Sequence, residues 1–266
     1  MKIVRINVKN NGIRFEEITP ESKYFLLGAR GLSSQIIHDE VPPLCNPLGK
    51  KNKLVIASGI LAGSPFPCSG RSSVGAKSPL TNGIKEANVG GRPGIMLARH
   101  GIRAIILEEI SSMLNLILIE KGNIEILPAG EYKDLGNYEL HSRLRQKYGG
   151  NIGIYSIGAG GEHLMKSATV AANDLEGYPS RHAARGGLGA IMGSKGIKAI
   201  VIIPSKTSKT KMHDIKKFRE TSTPFAKILA QTKEKFSIFG TPMMMAAMSG
   251  YGGIPTKNFR MGSYDK

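Results

Sequence analysis

The sequence predicts an α+β protein in two regions, 1–205 and 206–266, and three observations carry that prediction. Short β-branched runs recur up to about Ser205, each set off by Gly, Pro or Asn. Helix-like patterns are scattered among them in an order that is neither a regular βαβ alternation nor all-β. From Met212 onward the apolar spacing becomes helical.

Taken in order, the N-terminus alternates like a strand through Ile3–Val8, Leu32–Asp39 reads as a helix and Leu54–Ala57 as a strand. Residues 59–94 are rich in Gly, Pro and Ser and read as a long irregular loop, of a length more often functional than decorative. Pro93–His100 then reads as a helix. Ala104–Leu107, Leu116–Glu120, Ile124–Leu127, Ile152–Ser156 and Ile197–Ile203 read as strands, and Tyr138–Tyr148 as a helix. Lys206, Lys209, Lys211, Lys216 and Lys217 cluster where a solvated hinge belongs. Beyond it Phe218, Phe225, Ile228 and Leu229 are spaced for one helical face, and Met243–Met245 with Met248 read as flexible core fillers. Gly28-Ala-Arg-Gly-Leu32 and Ala183-Ala-Arg-Gly-Gly-Leu188 are alike, which hints at an internal duplication.

The chemistry concentrates in two segments. In 181–200, Arg181 and Arg185 lie four apart, a glycine-rich turn follows, and then an apolar run, a second glycine turn and a strand. Arginine offers a planar fork of donors matched to phosphate or carboxylate, and glycine lets a ligand approach the main chain. Such a loop suits an anion held against backbone amides, although a solvated turn has the same composition. Residues 59–94 repeat that chemistry, with Arg71 in a Gly/Pro/Ser loop, Lys77–Thr81 next, and Asn88 ahead of Gly90-Gly91. Arg71 also suits a surface ion pair, and Asn88 a turn cap. His38, His100, His141, His163 and His213 have no ligand spacing and read as structural or solvated; the ring of His182 reads as a bystander.

In sequence order the chain carries Leu26-Leu-Gly-Ala-Arg-Gly-Leu32, Asp39-Glu-Val-Pro-Pro43, Asn46-Pro-Leu48 and Asn52–Gly59. Gly70-Arg71, Lys77–Thr81, Ala87-Asn-Val-Gly-Gly91, Ser156-Ile-Gly-Ala-Gly-Gly-Glu162, Asn173-Asp174 and Arg185–Lys195 follow. From about Lys2 to Tyr264 this series resembles, collinearly, the N-terminal part of the aldehyde ferredoxin oxidoreductase family, tungsten or molybdenum enzymes with a bis-pterin cofactor. The resemblance implies a large mixed β-sheet base domain over 1–205 that binds the pterins. A linker and the start of a helical second domain would occupy 206–266. It further implies pterin contacts at Arg71, Gly90, Arg181, Ala184 and Arg185. A magnesium ion bridging the two pterin phosphates would be held by Asn88 and the main chain of His182. Magnesium takes oxygen ligands, which an amide and a backbone carbonyl supply.

The family reaction converts an aldehyde and water to a carboxylic acid, passing two electrons through an iron–sulfur cluster to ferredoxin. Gly240-Thr-Pro242 and Lys257–Gly262 match the segment ahead of the family's Cys-X-X-Cys-X-X-X-Cys run, and this sequence stops before such a run. The expectation is therefore the N-terminal piece of a split enzyme, completed by a second, cysteine-bearing polypeptide, or a truncated product. The alternative is an inactive remnant or non-catalytic binding module of the same fold. Lys+Arg 37 against Asp+Glu 20 gives +17, which implies an acidic partner, a polyanionic ligand or a missing acidic half. With no tryptophan, few aromatics and no recognition motif, a nucleic-acid module is disfavoured. Two cysteines, Cys45 and Cys68, fit a reducing compartment, and Cys68 reads as an inert loop residue. No apolar run is long enough to span a bilayer and no signal peptide is evident, so the expectation is a cytoplasmic protein away from membranes.

Overall fold

Twelve strands in the computed structural model form two mixed sheets of six, and the two sheets have one plan. The described residues are 1–204, 210 and 212–264. They fall into two units, divided between Lys211 and Met212. In the first half of unit one, β1 (Lys2–Asn7), β2 (Gly12–Glu17), β3 (Leu54–Ser58), β4 (Ser72–Lys77), β5 (Ile84–Val89) and β6 (Ile102–Glu108) order themselves as β2-β1-β6-β3-β4-β5. In the second half, β7 (Asn115–Glu120), β8 (Asn123–Pro128), β9 (Gly153–Ser156), β10 (Val170–Ala172), β11 (Arg181–Ala183) and β12 (Ile197–Ile202) order themselves as β8-β7-β12-β9-β10-β11. In each sheet the first and last strands pair in parallel, β1 with β6 and β7 with β12; every other pairing is antiparallel.

The helices repeat as well. α1 (Ala29–Glu40) and α3 (Asn137–Tyr148) each follow the second strand of their half, and α2 (Arg92–Arg99) and α5 (Leu188–Ser194) each join the fifth strand to the sixth. Among the described residues the one-turn α4 (Ala159–Glu162) and a 3-10 turn at Gly130–Tyr132 have no counterparts. The duplication is real, but it is not in the register that the two short motifs suggest. Gly28–Leu32 opens α1, whereas Ala183–Leu188 joins β11 to α5; the true counterpart of the latter is Val89–Arg92. Two arginine–glycine turns ahead of a helix look alike wherever a helix begins near a sheet, so the match tracked local turn chemistry.

Burial explains the strand compositions. The main core lies between the sheets, joining Val4, Ile56 and Ile105 of one to Ile117, Ile200 and Ile202 of the other, with Met96 and Leu97 of α2 and Ile191 and Met192 of α5. A second cluster seals α1 onto the outer face of the first sheet through Leu32, Ile36 and Ile37, and a third seals α3 onto the second through Leu140 and Leu144. Central strands such as β3 and β12 are therefore buried on both faces and are mainly apolar, Ser58 and Lys198 being their polar residues.

The expectation of a loop without regular structure over 59–94 is overturned by β4, β5 and the start of α2. β4 is Ser-Ser-Val-Gly-Ala-Lys, nearly free of β-branched residues, yet every residue in it is buried. The reason is α1, which packs so closely that a Cβ on Gly75 would stand 2.9 Å from Ser33 Cβ. Small residues are what that approach allows, and they hide the strand from pattern reading. Lys77 is likewise no loop residue: it ends β4, 6% exposed, with its ammonium on the Pro43 carbonyl.

His141 of α3 is buried. Ser156 Oγ donates to Asn137 Oδ1 at 3.0 Å, so at 2.8 Å His141 Nε2 is the donor to Ser156, which leaves Nδ1 bare and without a partner. Burial, with Arg145 nearby, pushes this imidazole down to about 4 from an ordinary 6.5. The unfolded chain thus takes up the proton first as pH falls, so the neutral-His stability is complete above about 6.5 and drains away toward pH 4. Denaturant midpoints are expected to show a loss of about 2 kcal/mol between pH 7 and pH 5 that His141→Gln removes. An equal loss in that variant assigns the effect elsewhere.

Unit two begins with α6 (Ile215–Thr232), capped by the Asp214 carboxylate accepting Lys217 N–H at 2.9 Å, and continues through α7 (Glu234–Phe239) and α8 (Met245–Gly250). The methionines expected to fill a core are instead 40–52% exposed at Met243, Met244, Met245 and Met248. Apolar composition names a face that suits burial, but it does not supply the layer that would cover it. Lys206, Lys209 and Lys211 of the expected hinge, and the 205/206 boundary itself, lie outside the described residues.

Candidate functional site

The edge strands of the two sheets, β5 and β11, meet. A groove of about 570 Å³ opens at their junction, and into it converge Gly70 and Arg71 ahead of β4, Asn88 of β5, Gly90 and Gly91 ahead of α2, and Arg181 and His182 of β11. Of the residues singled out from sequence, the fold thus brings Arg71, Asn88, Gly90, Arg181 and His182 around one opening. Ala184 and Arg185 are exposed in the turn that leaves β11. Arg181 is not in a loop, as its glycine-rich surroundings suggest, but opens a three-residue strand. Three residues are too few for any periodicity, so β11 exists only because β10 is there to pair with it.

Strand register makes the groove nearly two-fold. Asn88 faces Ser73 across β4/β5, and His182 faces Ala171 across β10/β11, one residue in from the end of each pair. Asn88 and His182 are therefore equivalent, as are Gly90 and Ala184, and Arg71 and Thr169 just ahead of β4 and β10. The side-chain contacts repeat too: Arg71 Nη1 donates to Asn88 Oδ1 at 3.2 Å, and Thr169 Oγ1 lies 2.8 Å from His182 Nδ1. Ala184 keeps a negative φ, so its Cβ is tolerated there. At Gly90 a Cβ would meet nothing within 4 Å, leaving main chain open to the groove.

The electrostatics favour an anion. Asp174 is the one acidic side chain among the groove residues, and its oxygens are already taken: Oδ1 accepts the N–H groups of Glu176, Gly177 and Tyr178, and Oδ2 accepts Ser180 Oγ at 2.6 Å. Those bonds hold its carboxyl below the usual range. Arg71 and Arg181 remain exposed. Among the described residues no three His, Cys, Asp or Glu side chains gather to hold a metal ion. Cys68, a free thiol in the left-handed region at φ 57°, stands exposed at the groove wall. Thr169, Asp174 and Ser180 were not singled out from sequence as site residues, although Asn173-Asp174 stands in the collinear motif series.

Residues 3–204 match the family profile described as "Aldehyde ferredoxin oxidoreductase, N-terminal domain". The chain belongs to the aldehyde ferredoxin oxidoreductase family. It is 35% identical over 267 residues to a tungsten-containing aldehyde ferredoxin oxidoreductase of Pyrococcus furiosus, covering 99% of this chain and 43% of that protein. The homologue from Thermococcus kodakarensis is 33% identical over 278 residues, again covering 99% and 43%. A more distant relative, the WOR-like subunit of an aliphatic sulfonate oxidoreductase of P. furiosus, is 27% identical over 217 residues, 75% of this chain and 34% of that one. Among solved structures, the active-site complex of a benzoyl coenzyme A reductase with 1,5-dienoyl-CoA superposes on 78% of this chain and 31% of its own, with TM-score 0.72 and 27% identity. The chain thus spans 43% of the length of its tungsten-containing relatives. Within it, the matched family domain coincides with the duplicated double-sheet unit that builds the groove.

Proposed function

We propose that this chain forms the cofactor base of a tungsten-containing (or molybdenum-containing) oxidoreductase that converts aldehydes to carboxylic acids or the reverse. The observation that carries the reading is the near two-fold groove, because a bis-pterin is itself a paired ligand with two phosphates. Arg71, Arg181 and Arg185 would grip phosphate oxygens, the open main chain at Gly90 would let a pterin lie close, and Ala184 would contact it at the equivalent place in the other half. Asn88 and His182 stand at equivalent positions in the two halves, and Asn88 Oδ1 and the His182 carbonyl are oxygen donors suited to a bridging magnesium ion. The bound cofactor would supply the two-electron redox chemistry, and this chain binds and orients it. Electron transfer through an iron–sulfur cluster to ferredoxin requires cysteines from sequence beyond this domain, on the same or a partner polypeptide. Free cysteines suit a reducing cytoplasm.

The test uses the protein together with whatever completes it. Arg71→Ala and Arg181→Ala are expected to weaken cofactor retention about ten- to a hundredfold, the loss of a charge-assisted contact of about 1.5–3 kcal/mol. Elemental analysis for tungsten and molybdenum and pterin fluorescence after oxidation give the readout. Apo-protein melting should barely move. Wild-type protein that carries neither metal nor pterin, or variants that lose stability but no cofactor, would overturn the reading and leave a non-catalytic module.

A further inference from the structure

The turn 173–180 carries no role in the reading above, yet it joins the two halves of the groove. Asn173 is fully buried: Oδ1 accepts Ile154 N–H at 2.7 Å, Nδ2 donates to the Ile152 carbonyl at 2.8 Å, and its main-chain N–H donates to the Ile154 carbonyl at 3.2 Å, so side chain and main chain together hold it to β9. Its own carbonyl accepts Arg92 N–H at 2.9 Å, at the corner after Gly90 and Gly91. The Arg92 guanidinium reaches back to the Asn151 side chain and the Leu175 carbonyl. Next in sequence, Asp174 gathers four donors from its own turn, at 3.0, 2.9, 3.0 and 2.6 Å. The residue after that turn is Arg181.

We propose that Asp174 is a positioning residue: its carboxylate closes the 174–180 turn and so fixes where Arg181 and His182 enter the groove. Asn173 ties the same turn to the Gly91–Arg92 corner of the other half, so the spacing between the two halves is set here. A carboxylate beside an anion site would ordinarily repel the ligand. Here four amide and hydroxyl donors occupy its two oxygens, so the role proposed for it is the geometry of the turn and not contact with the ligand. The inference rests on the groove holding a pterin phosphate.

Asp174→Ala, Asp174→Asn and Arg181→Ala, made in the complete protein, separate the two ideas. Asp174→Ala should raise hydrogen exchange at 176–182 about tenfold or more and lower pterin and tungsten retention at least severalfold, with the apo-protein melting nearly as wild type. Asp174→Asn keeps an acceptor for the three amides and should restore both exchange protection and retention. If Asp174→Ala loosens the turn while Arg181→Ala alone loses cofactor, the positioning role is wrong and the cofactor reading stands. If Asp174→Asn loses cofactor as fully as Asp174→Ala with the turn still protected, the carboxylate's charge rather than its geometry is at work, and the proposal fails. Full retention in Arg181→Ala and Arg71→Ala alike removes the cofactor reading, and this inference with it.

Discussion

Glu162→Ala is expected to destabilise the protein by about 3–5 kcal/mol, the cost of breaking a buried ion pair from one side. Lys198 of β12 is fully buried, and its ammonium has two partners, the Leu135 carbonyl at 2.8 Å and the Glu162 carboxylate, itself only 8% exposed. The other Glu162 oxygen accepts Asp134 N–H at 3.0 Å, so the pair also pins the turn ahead of α3. Removing the carboxylate leaves a charge inside with one neutral acceptor. Equilibrium urea denaturation measures the loss. The double variant Glu162→Leu, Lys198→Met should recover most of it, since an apolar pair of similar volume asks for no solvation. A single variant within about 1 kcal/mol of wild type would show that water reaches the ammonium.

The neighbouring glycines of the groove are expected to separate fold from function. Gly91 has φ 104°, and a Cβ there would stand 2.4 Å from the Asn173 carbonyl oxygen. Gly91→Ala combines a left-handed backbone with a clash against main chain, for a loss of about 3 kcal/mol. Gly90→Ala meets nothing within 4 Å and should leave apo stability almost unchanged, while its methyl group fills the opening toward the ligand. Melting temperature should therefore fall for Gly91→Ala alone, and pterin retention should fall for Gly90→Ala without a stability change. Gly90→Ala protein that keeps its full cofactor would mean that the ligand does not approach that main chain.

Most regular elements were legible because their patterns are local. Ile3–Val8 alternates, Leu54–Ala57 is an apolar run, Ile197–Ile203 is one interrupted only by Lys198, and α1, α2 and α3 show helical spacing. The strands that escaped are β2, β4, β5, β10 and β11. β4 is small because α1 lies on it, β10 and β11, at three residues each, exist through their pairing, and β2 and β5 are sheet edges with few buried positions. The arginines, glycines and asparagine of the groove were also legible, since phosphate chemistry calls for those residue types wherever it occurs.

By itself, the sequence determined the α+β composition, the family and the residue types offered to an anion. Only the tertiary structure decided that two copies of one six-stranded plan pack together with β5 near β11, and that Asn88 and His182, like Gly90 and Ala184, hold equivalent places in them. Periodicity reports which face of an element is buried, within a few residues of itself. Residues 88 and 182 lie on edge strands of different sheets, far apart in the chain, and how the layers pack brings those strands together.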